Sequence, residues 1–316
     1  MHDSVRHGVQ AIDDWDRHWL EFGAAAELSP ATRYRRRLAL RLLAKDGQDA
    51  DLRMLEIGSG AGQFAEEFLA QSPRAQFLGL ELSRTGVEMA GRRVPGARFL
   101  QRDLGATGYS QPDGLDFRAT HAVCSDVLEH LDDPSVLLRH AAAYMAPGCR
   151  FVVTVPGGWH SAFYRHIGHR RHYTPAQLCV LLEGAGFTVE RAYAAGFPFF
   201  NLYRMLVTLR GPKLIAEAAR APSLLMRATA ALFHTLFRLN LMHPWGWQTV
   251  AVARMWGGRP RLSTWACGPR IMMKTRARPW GAGNSALAGF QPALASAGRV
   301  PAPRTPTARP LSPRTV

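Results

Sequence analysis

Residues 54–62 of this chain read MLEIGSGAG and contain three glycines at alternate positions. Residues 54–57 have strand-forming character, and glycines follow at positions 58, 60 and 62. A helix-like stretch comes next, and a second apolar run at 77–80 ends in Glu81. Backbone that turns sharply and lets a ligand lie against it has no room for Cβ atoms, which favours glycine. A strand, a glycine-rich turn, a helix and a second strand therefore predict a site for a nucleoside-bearing cofactor.

The position of the third glycine narrows the class of cofactor. The dinucleotide fingerprint is G-x-G-x-x-G, and its third glycine would fall at residue 63, where this chain has Gln63. The third glycine is Gly62 instead, so the pattern is G-x-G-x-G preceded by the acid Glu56. The chain also lacks G-x-x-x-x-G-K-[ST], which excludes a P-loop.

Three later segments follow this turn in order: RDL at 102–104, DVLEHL at 126–131, and YMAPGCRFVVTVP at 144–156. Together with the glycine turn and Glu81, they resemble the motifs of the class I S-adenosylmethionine-dependent methyltransferases. Cys149 stands where that family has a second glycine. The resemblance covers residues 30–255 and implies S-adenosylmethionine as the cofactor.

The resemblance also implies which residues bind that cofactor. Glu81 resembles the acid that holds the two ribose hydroxyls, and Asp103 lies where the family meets the adenine amino group. A carboxylate suits a neutral diol because it accepts two charge-assisted hydrogen bonds. The implied cofactor-binding residues are Glu56, Gly58, Ser59, Gly60, Gly62, Glu81, Leu82, Asp103, Leu104 and Ser125.

Strand-like and helix-like stretches alternate through the middle of the chain, which predicts an α/β fold with a parallel sheet and helices on both faces. The resemblance implies a three-layer αβα Rossmann-like sheet of seven strands, with the seventh antiparallel between the fifth and sixth. We expect a helical lid at 1–47, a core at 48–195, a helical insertion at 196–244 and the last core strand at 245–255. The predicted strands are 53–57, 76–81, 97–101, 120–125, 150–156, 187–192 and 247–254.

The insertion at 196–244 is far longer than an ordinary connection between strands. Its second apolar run is interrupted by Arg227, His234 and Arg238, which disfavours a membrane-spanning helix. The pattern suits either a helical cap packed on the core or on a dimer mate, or an amphipathic helix at a membrane surface. We therefore leave both peripheral membrane contact and a monomer or homodimer open.

The net charge of +15 raises the question of nucleic-acid binding. Ten of the basic residues and no acids fall in the Pro-, Ala- and Arg-rich segment 256–316, which predicts a disordered tail rather than a binding domain. Five arginines on the predicted helix 30–44 form a further basic band. The four cysteines share no C-x-x-C spacing, and the polar segment 1–16 lacks a secretory h-region. We expect a cytoplasmic protein that does not bind nucleic acid.

One candidate for chemistry is the cluster Asp126, Glu129 and His130, whose i, i+3, i+4 spacing places the three on one face of a helical turn. It resembles the E-x-x-E-H metal motif of quinone-pathway O-methyltransferases and small-RNA terminal methyltransferases, with Asp126 at the first position. Three interpretations stay open: a metal site, a catalytic base at His130, or a structural turn that shapes the cleft. We predict no bound metal and name His130 as a catalytic candidate.

The second candidate is GHRRHYT at 168–174. It follows the fifth strand at the carboxyl edge of the sheet, where open α/β sheets bind ligands. His169 is the second catalytic candidate, and Trp159, Arg170 and Tyr173 are candidate substrate residues. A polar loop that caps the next helix is the alternative.

These observations predict a methyltransferase that transfers a methyl group from S-adenosylmethionine to an oxygen, nitrogen or carbon of a small molecule. The aromatic insertion points to a lipophilic acceptor, and a quinone-like or polysaccharide-related acceptor stays open. The basic helix and tail make an RNA-directed methyltransferase the first alternative. An NAD(P)-dependent reductase is the second, and Gln63 argues against it.

Overall fold

The computed structural model describes residues 14–43, 51–106, 108–109, 115–218 and 223–256. All of them belong to one compact unit. The predicted basic tail lies outside the described residues, apart from Trp256, as does the beginning of the predicted lid.

A mixed sheet of eight strands forms the centre of the described chain. Its order is β3-β2-β1-β4-β5-β8-β6-β7. The neighbours from β3 to β5 are parallel, and β8 runs antiparallel between β5 and β6. The fold class and the position of the last core strand are therefore confirmed. The strands are β1 Arg53–Ile57, β2 Gln76–Glu81, β3 Arg98–Gln101, β4 Ala119–Ser125, β5 Met145–Pro156, β6 Phe187–Phe197, β7 Leu241–Met242 and β8 Gln248–Met255.

Helices cover both faces of this sheet. Several begin at the polar residues that the sequence offers as caps: the side chain of Ser83 accepts from Gly86 N, and Thr174 and Gln177 form a reciprocal capping box. Such caps satisfy backbone N–H groups that a helix start leaves without partners. The helices are α1 Trp15–Leu28, α2 Pro30–Leu43, α3 Gln63–Gln71, α4 Arg84–Arg93, α5 Pro134–Ala142, α6 Ala162–His166, α7 Pro175–Gly184, α8 Phe199–Ala218 and α9 Leu224–Leu236.

Strand β1 shows why the sequence reads as a nearly continuous apolar run. Leu55 and Ile57 pack into the cluster on one face of the sheet, and Met54 packs into the cluster on the other. Parallel strands with helices on both faces bury both sets of side chains. Each such side chain contributes about 1.5–3 kcal/mol when it is fully buried.

Two strand predictions need correction. The fifth strand begins at Met145 and not at the predicted residue 150, because Met145 pairs with Ala119 of β4. The sheet has an eighth strand, Leu241–Met242, which pairs with the end of β6. Two residues are too few to show an alternating pattern, so the sequence carried no signal for this strand.

The insertion forms two helices, α8 and α9, joined to the core by aromatic packing. Phe200 of α8 and Phe237 after α9 lie against Tyr34 of α2, with ring centroids 5.1 and 5.4 Å away. Among the described residues, no helix is long and apolar enough to cross a bilayer.

Candidate functional site

A cavity of about 800 Å³ opens at the carboxyl ends of β1, β2 and β4, between the sheet and helices α1, α2 and α8. Ligands bind at this edge in open α/β sheets. We call the part lined by Glu56, Gly58, Gly60, Glu81 and Asp103 the glycine side. The part lined by Asp126, Glu129, His130 and His169 is the histidine side.

The turn on the glycine side requires its glycines for both conformation and space. Gly58, Gly60 and Gly62 all have positive φ, at 73, 51 and 81°, a region that other residues rarely adopt. A Cβ atom at Gly60 would lie 2.5 Å from the Trp19 ring. Gly62, predicted as a cofactor contact, instead caps α3, and a Cβ atom at this position would lie 3.0 Å from Ala90 Cα on α4. It does not line the cavity.

The Glu81 carboxylate is fixed at the end of β2 by backbone donors. Gly60 N donates to Oε2 at 2.7 Å and Ser83 N donates to Oε1 at 3.0 Å. Burial raises the pKa of Glu81, while these hydrogen bonds lower it. Each carboxylate oxygen can accept a further donor. A buried acid held in this way is suited to a pair of ligand hydroxyls.

Glu56 lies deeper on the glycine side, and hydrogen bonds compensate for its burial less fully than for that of Glu81. Its Oε2 atom is buried without a hydrogen-bond partner. Burial and then the charge of Glu81 raise its pKa well above the usual range. An unpartnered buried carboxylate is costly, so this position favours a ligand that brings a donor or a positive charge.

The other predicted cofactor residues differ in exposure. Leu82, Leu104 and Ser125 line the cavity, as do Ser59 and Asp103. Asp103 is exposed and accepts from Gly105 N at 2.9 Å within its own loop. The Ser59 hydroxyl is buried without a hydrogen-bond partner, which leaves it available to a ligand.

Helix α1 lies over the glycine side. Asp16 Oδ1 accepts from Ser83 Oγ and from Thr85 N, both at 2.7 Å, at the start of α4. Arg93 at the end of α4 pairs with Glu27. The helix is therefore fixed at both ends across the cleft, and Trp19 lies above Gly60 between them.

The histidine side begins at Asp126, directly after β4. Its φ of 53° is unusual for a residue other than glycine. The side chain forms an ion pair with Arg35 of α2. Burial raises the pKa of Asp126 although Arg35 and Arg204 oppose that change. The strained backbone and the ion pair place one carboxylate at this side of the cavity.

Glu129 follows in a 3₁₀ turn, Leu128–His130, and is 0% exposed. Both of its carboxylate oxygens are buried without hydrogen-bond partners. Burial and then the charge of Asp126 raise its pKa well above the usual range. A carboxyl group that is fully buried with no hydrogen-bond partner on either oxygen is a candidate functional residue.

The hydrogen-bond partners of the histidines show which ring nitrogen carries the proton. The Gly168 carbonyl can only accept, so His130 Nδ1, 3.1 Å away, carries the proton and Nε2 is its basic nitrogen. By the same argument His172 donates from Nδ1 to Gly158 O at 3.4 Å, and His169 Nδ1 donates to His172 Nε2 at 3.2 Å. Burial first, and then neighbouring positive charge, lowers the pKa of His169 and lowers that of His172 to about 3. Both are therefore neutral near pH 7.

Three predicted substrate residues do not line the cavity. Trp159 is 65% exposed. Arg170 donates to His130 O at 2.6 Å and pairs with Asp132. The buried Tyr173 hydroxyl donates to Leu128 O at 3.2 Å. Arg170 and Tyr173 thus brace the turn that carries Glu129 and His130, and they act on the site through its backbone.

The structure adds lining residues that the sequence did not single out for this site. Trp15 of α1 lies edge-on to His130, with ring centroids 4.9 Å apart. Arg204 donates to the Tyr164 hydroxyl at 2.8 Å and to two backbone carbonyls. Tyr203 and Arg204 come from α8, more than seventy residues beyond β4. In the sequence, the aromatic and basic character of the insertion was the signal that could have pointed to Tyr203 and Arg204 as lining residues.

The histidine side could also hold a metal ion. One ligand atom from each of Glu129, His130 and His169 lies within 4.8 Å of the others. A carboxylate and two imidazoles suit Zn²⁺ and related ions. The same groups also suit proton transfer, so the arrangement alone leaves both chemistries open.

Comparison with known proteins defines the family. A family profile described as a methyltransferase domain matches residues 28–192. The chain belongs to this family, whose cofactor is S-adenosylmethionine. The residues of the glycine side suit that cofactor: the buried Glu81 carboxylate could accept from two ligand hydroxyls, and Glu56 Oε2, buried without a hydrogen-bond partner, could accept from a ligand amino group.

The related proteins are methyltransferases of low similarity. The chain is 32% identical over 143 residues to a trans-aconitate 2-methyltransferase of Methylobacterium nodulans, covering 45% of this chain and 50% of that protein. It is 26% identical over 171 residues to a ubiquinone biosynthesis O-methyltransferase of Aeromonas salmonicida, covering 48% and 70%. The chain therefore spans only half the length of the first of these relatives.

The fold is shared with solved structures. Phosphoethanolamine N-methyltransferase 2 of Haemonchus contortus, in complex with S-adenosyl-L-methionine, superposes with a TM-score of 0.54 at 16% identity. The match covers 79% of this chain and 61% of that one. It supports the arrangement of the sheet described above.

Proposed function

We propose that this protein transfers the methyl group of S-adenosylmethionine to a hydroxyl oxygen of a lipophilic aromatic small molecule. The single observation that carries the proposal is a continuous cavity with the backbone-held Glu81 carboxylate on one side and His130, His169 and the unpartnered Glu129 on the other. The cofactor supplies an activated methyl group when it is bound. The chain has to hold the acceptor in line with it, which is the proximity contribution.

The character of the histidine side favours an uncharged ring over a polyanion. Trp15, Phe163 and Tyr203 line the cavity with apolar surface. A tricarboxylate such as trans-aconitate would bring further negative charge to a place where two acidic groups, Asp126 and Glu129, already lie close together. Arg35 pairs with Asp126 and Arg204 bonds Tyr164, which leaves Arg204 Nη2 as a single donor for an acceptor oxygen. A hydroxylated ring fits both the apolar wall and the acceptor groups.

A hydroxyl group loses a proton as it attacks carbon, so the site needs a base. We assign this role to His130 Nε2. Its other nitrogen donates to Gly168 O, and the neutral His169 ring lies 4.8 Å away, edge to face. Glu129 beside it would stabilise the imidazolium that forms.

The contacts of the basic helix α2 support a small-molecule acceptor over RNA. Two of its five arginines point inward: Arg35 pairs with Asp126, and Arg36 pairs with Glu67 at 2.9 Å. Fewer cations are then left for a phosphate backbone, which dominates nucleic-acid affinity.

The test is transfer of radiolabelled methyl from S-adenosylmethionine to three acceptors: an alkylated catechol, trans-aconitate and bulk tRNA. We expect labelled product from the catechol alone, with label at oxygen. Label in trans-aconitate or tRNA and none in the catechol would refute the proposed acceptor class. S-adenosylhomocysteine should raise the melting temperature while NADH should not, and the reverse result would refute the cofactor assignment.

A further inference from the structure

We infer that the outer face of the insertion docks on an anionic lipid surface. We define the α8–α9 surface by the exposed side chains Leu202, Leu206 and Leu209 of α8, and Leu225, Leu232 and Leu239 in and just after α9. This inference does not rest on the proposed acceptor, because membrane binding is measured without methyl transfer.

Exposed apolar side chains concentrate on this part of the molecule. Among the described residues, eleven of the fifteen exposed large hydrophobic side chains lie between Leu202 and Trp245. Leu209 is 75% exposed and Leu224 is 85% exposed. Single exposed leucines need no explanation, but a concentration of them marks an interaction surface.

The positions of these side chains follow helix faces. Leu202, Leu206 and Leu209 are spaced i, i+4 and i+7, so they share one face of α8. The inward set is different: Tyr203 packs on Phe233 with ring centroids 5.1 Å apart, and Phe200 is fully buried. In α9, Leu225 and Leu232 lie seven residues apart and Leu239 follows at the same interval. Both helices are therefore apolar on the inside and on part of the outside.

The positive charge of the α8–α9 surface favours binding to negatively charged lipids. The described side chains of 197–211 and 223–245 include no Asp or Glu. Arg227 and Arg238 are exposed beside the leucines. Arg238 also lies near Arg37 of α2, since its charge, after burial and the charge of Arg33, lowers the pKa of Arg37. Basic residues next to exposed apolar helix faces are typical of peripheral binding to anionic membranes.

Two further features fit a lipid surface. Trp245 is 69% exposed beside the edge strand β7, whose Leu241 and Met242 are also exposed, and tryptophan favours the membrane interface. Helix α8 also lines the cavity with Tyr203 and Val207 on its inner side. A molecule dissolved in the bilayer would therefore meet the helix that forms one wall of the site.

The experiment is flotation of the full chain with vesicles of phosphatidylcholine alone or mixed with phosphatidylglycerol. We expect the protein to float with the anionic vesicles and to dissociate at high salt. Leu209→Glu should weaken binding about tenfold or more. Arg227→Gln and Arg238→Gln should each weaken it about fivefold.

The matched control is Val180→Glu, because Val180 is an equally exposed apolar side chain, 70%, on α7. It should float as the wild type does. Stabilisation by S-adenosylhomocysteine in every variant shows that the fold is retained. Absence of flotation of the wild type, or equal flotation of Leu209→Glu and Val180→Glu, overturns the inference. A dimer by light scattering that Leu209→Glu dissociates, without vesicle binding, assigns the surface to a second copy.

Discussion

The two sides of the cavity are built in different ways. On the glycine side, residues within thirty positions along the chain form the turn, and backbone N–H groups hold the critical carboxylate, Glu81. On the histidine side, Asp126, His169 and Arg204 come from three separate segments and are held by ion pairs and side-chain contacts. Local geometry determines the first arrangement, whereas only packing determines the second.

The two sides also differ in electrostatic balance. Glu81 receives hydrogen bonds from Gly60 N and Ser83 N that offset part of the cost of its burial. Glu129 has both oxygens without hydrogen-bond partners. The hydrogen bonds to Glu81 favour its ionised form, which can accept hydrogen bonds from a neutral ligand. The Glu129 carboxylate is poised to change its charge when a ligand or a proton arrives.

The largest expected effect is on the glycine side. Glu81→Ala removes an acceptor for two ligand hydroxyls, each worth about 1.5–3 kcal/mol to a charged group. We expect at least a hundredfold weaker affinity for S-adenosylhomocysteine, measured by calorimetry. Because Glu81 also holds the turn, circular dichroism of the free protein has to show an intact fold.

Asp103→Ala is the matched carboxylate variant. Asp103 is exposed and bonds only its own loop at Gly105 N among the contacts described. Its loss should weaken S-adenosylhomocysteine about tenfold, as expected for one exposed hydrogen bond to a charged group. Unchanged affinity in both variants would contradict the cofactor site as described.

On the histidine side, His130→Asn should lower kcat and leave cofactor affinity unchanged. Asn retains a donor where Nδ1 bonds Gly168 O and removes the basic Nε2. A general base contributes about 10²–10⁴-fold to the rate. The comparison variant His169→Asn retains the bond to His172 and should have a smaller effect on kcat. Equal rates in His130→Asn and the wild type would refute the assignment of the base.

The pH dependence of stability tests the charge state of Glu129. Its pKa is raised in the folded state, so between the ordinary value of about 4.3 and the raised value the folded protein binds more protons than the unfolded chain. The free energy of unfolding therefore falls as pH rises through that window, by up to about 1.4 kcal/mol per pH unit.

Glu129→Gln removes this titration. The melting temperature of the variant minus that of the wild type should grow as pH rises from 4.5 to 8, by about 2–4 °C for each kcal/mol. The charges facing Glu129 come from Asp126, Arg35 and Arg204 and are the same in both proteins. A temperature difference that is constant across this range would mean that Glu129 titrates normally.

The smallest expected effect is that of a chelator. If His130 acts as a base, EDTA should leave the rate of methyl transfer unchanged. The cluster of Glu129, His130 and His169 makes this test informative. Loss of activity that Zn²⁺ or Mg²⁺ restores would assign the cluster to a metal ion instead of a proton.

Much of the fold follows from sequence pattern. Apolar runs bounded by turn residues located the core strands, because strands buried on both faces leave a continuous signal. The ends of the strands were predicted less accurately, since β5 begins at Met145, which pairs with Ala119. Strand β7 was not predicted, and it forms by pairing with the end of β6. Pairing between strands depends on neighbours distant in the chain, which a local pattern does not contain.

In the candidate site, too, some features could be predicted from the sequence and others depend on packing. Glu81 and the first two glycines line the cavity, while Gly62 packs on α4. His130 and His169 come together although thirty-eight residues separate them, because Gly168 accepts from His130. Tyr173 and Arg170 lie in the same loop but turn to the backbone of 128–132. Sequence position indicated the right loop but not the direction of each side chain.

The sequence alone was enough to identify the family, the alternation of strands and helices, the place of the last core strand, and most of the residues that line the glycine side. Short stretches encode these features, since glycine conformations and strand-end acids need no distant partner. The tertiary structure was needed to show which side chains line the histidine side, that Glu129 is buried without a hydrogen-bond partner, and that the described part of the insertion is apolar on its outside. Those properties depend on packing between segments far apart in the chain, which sets burial and charge state.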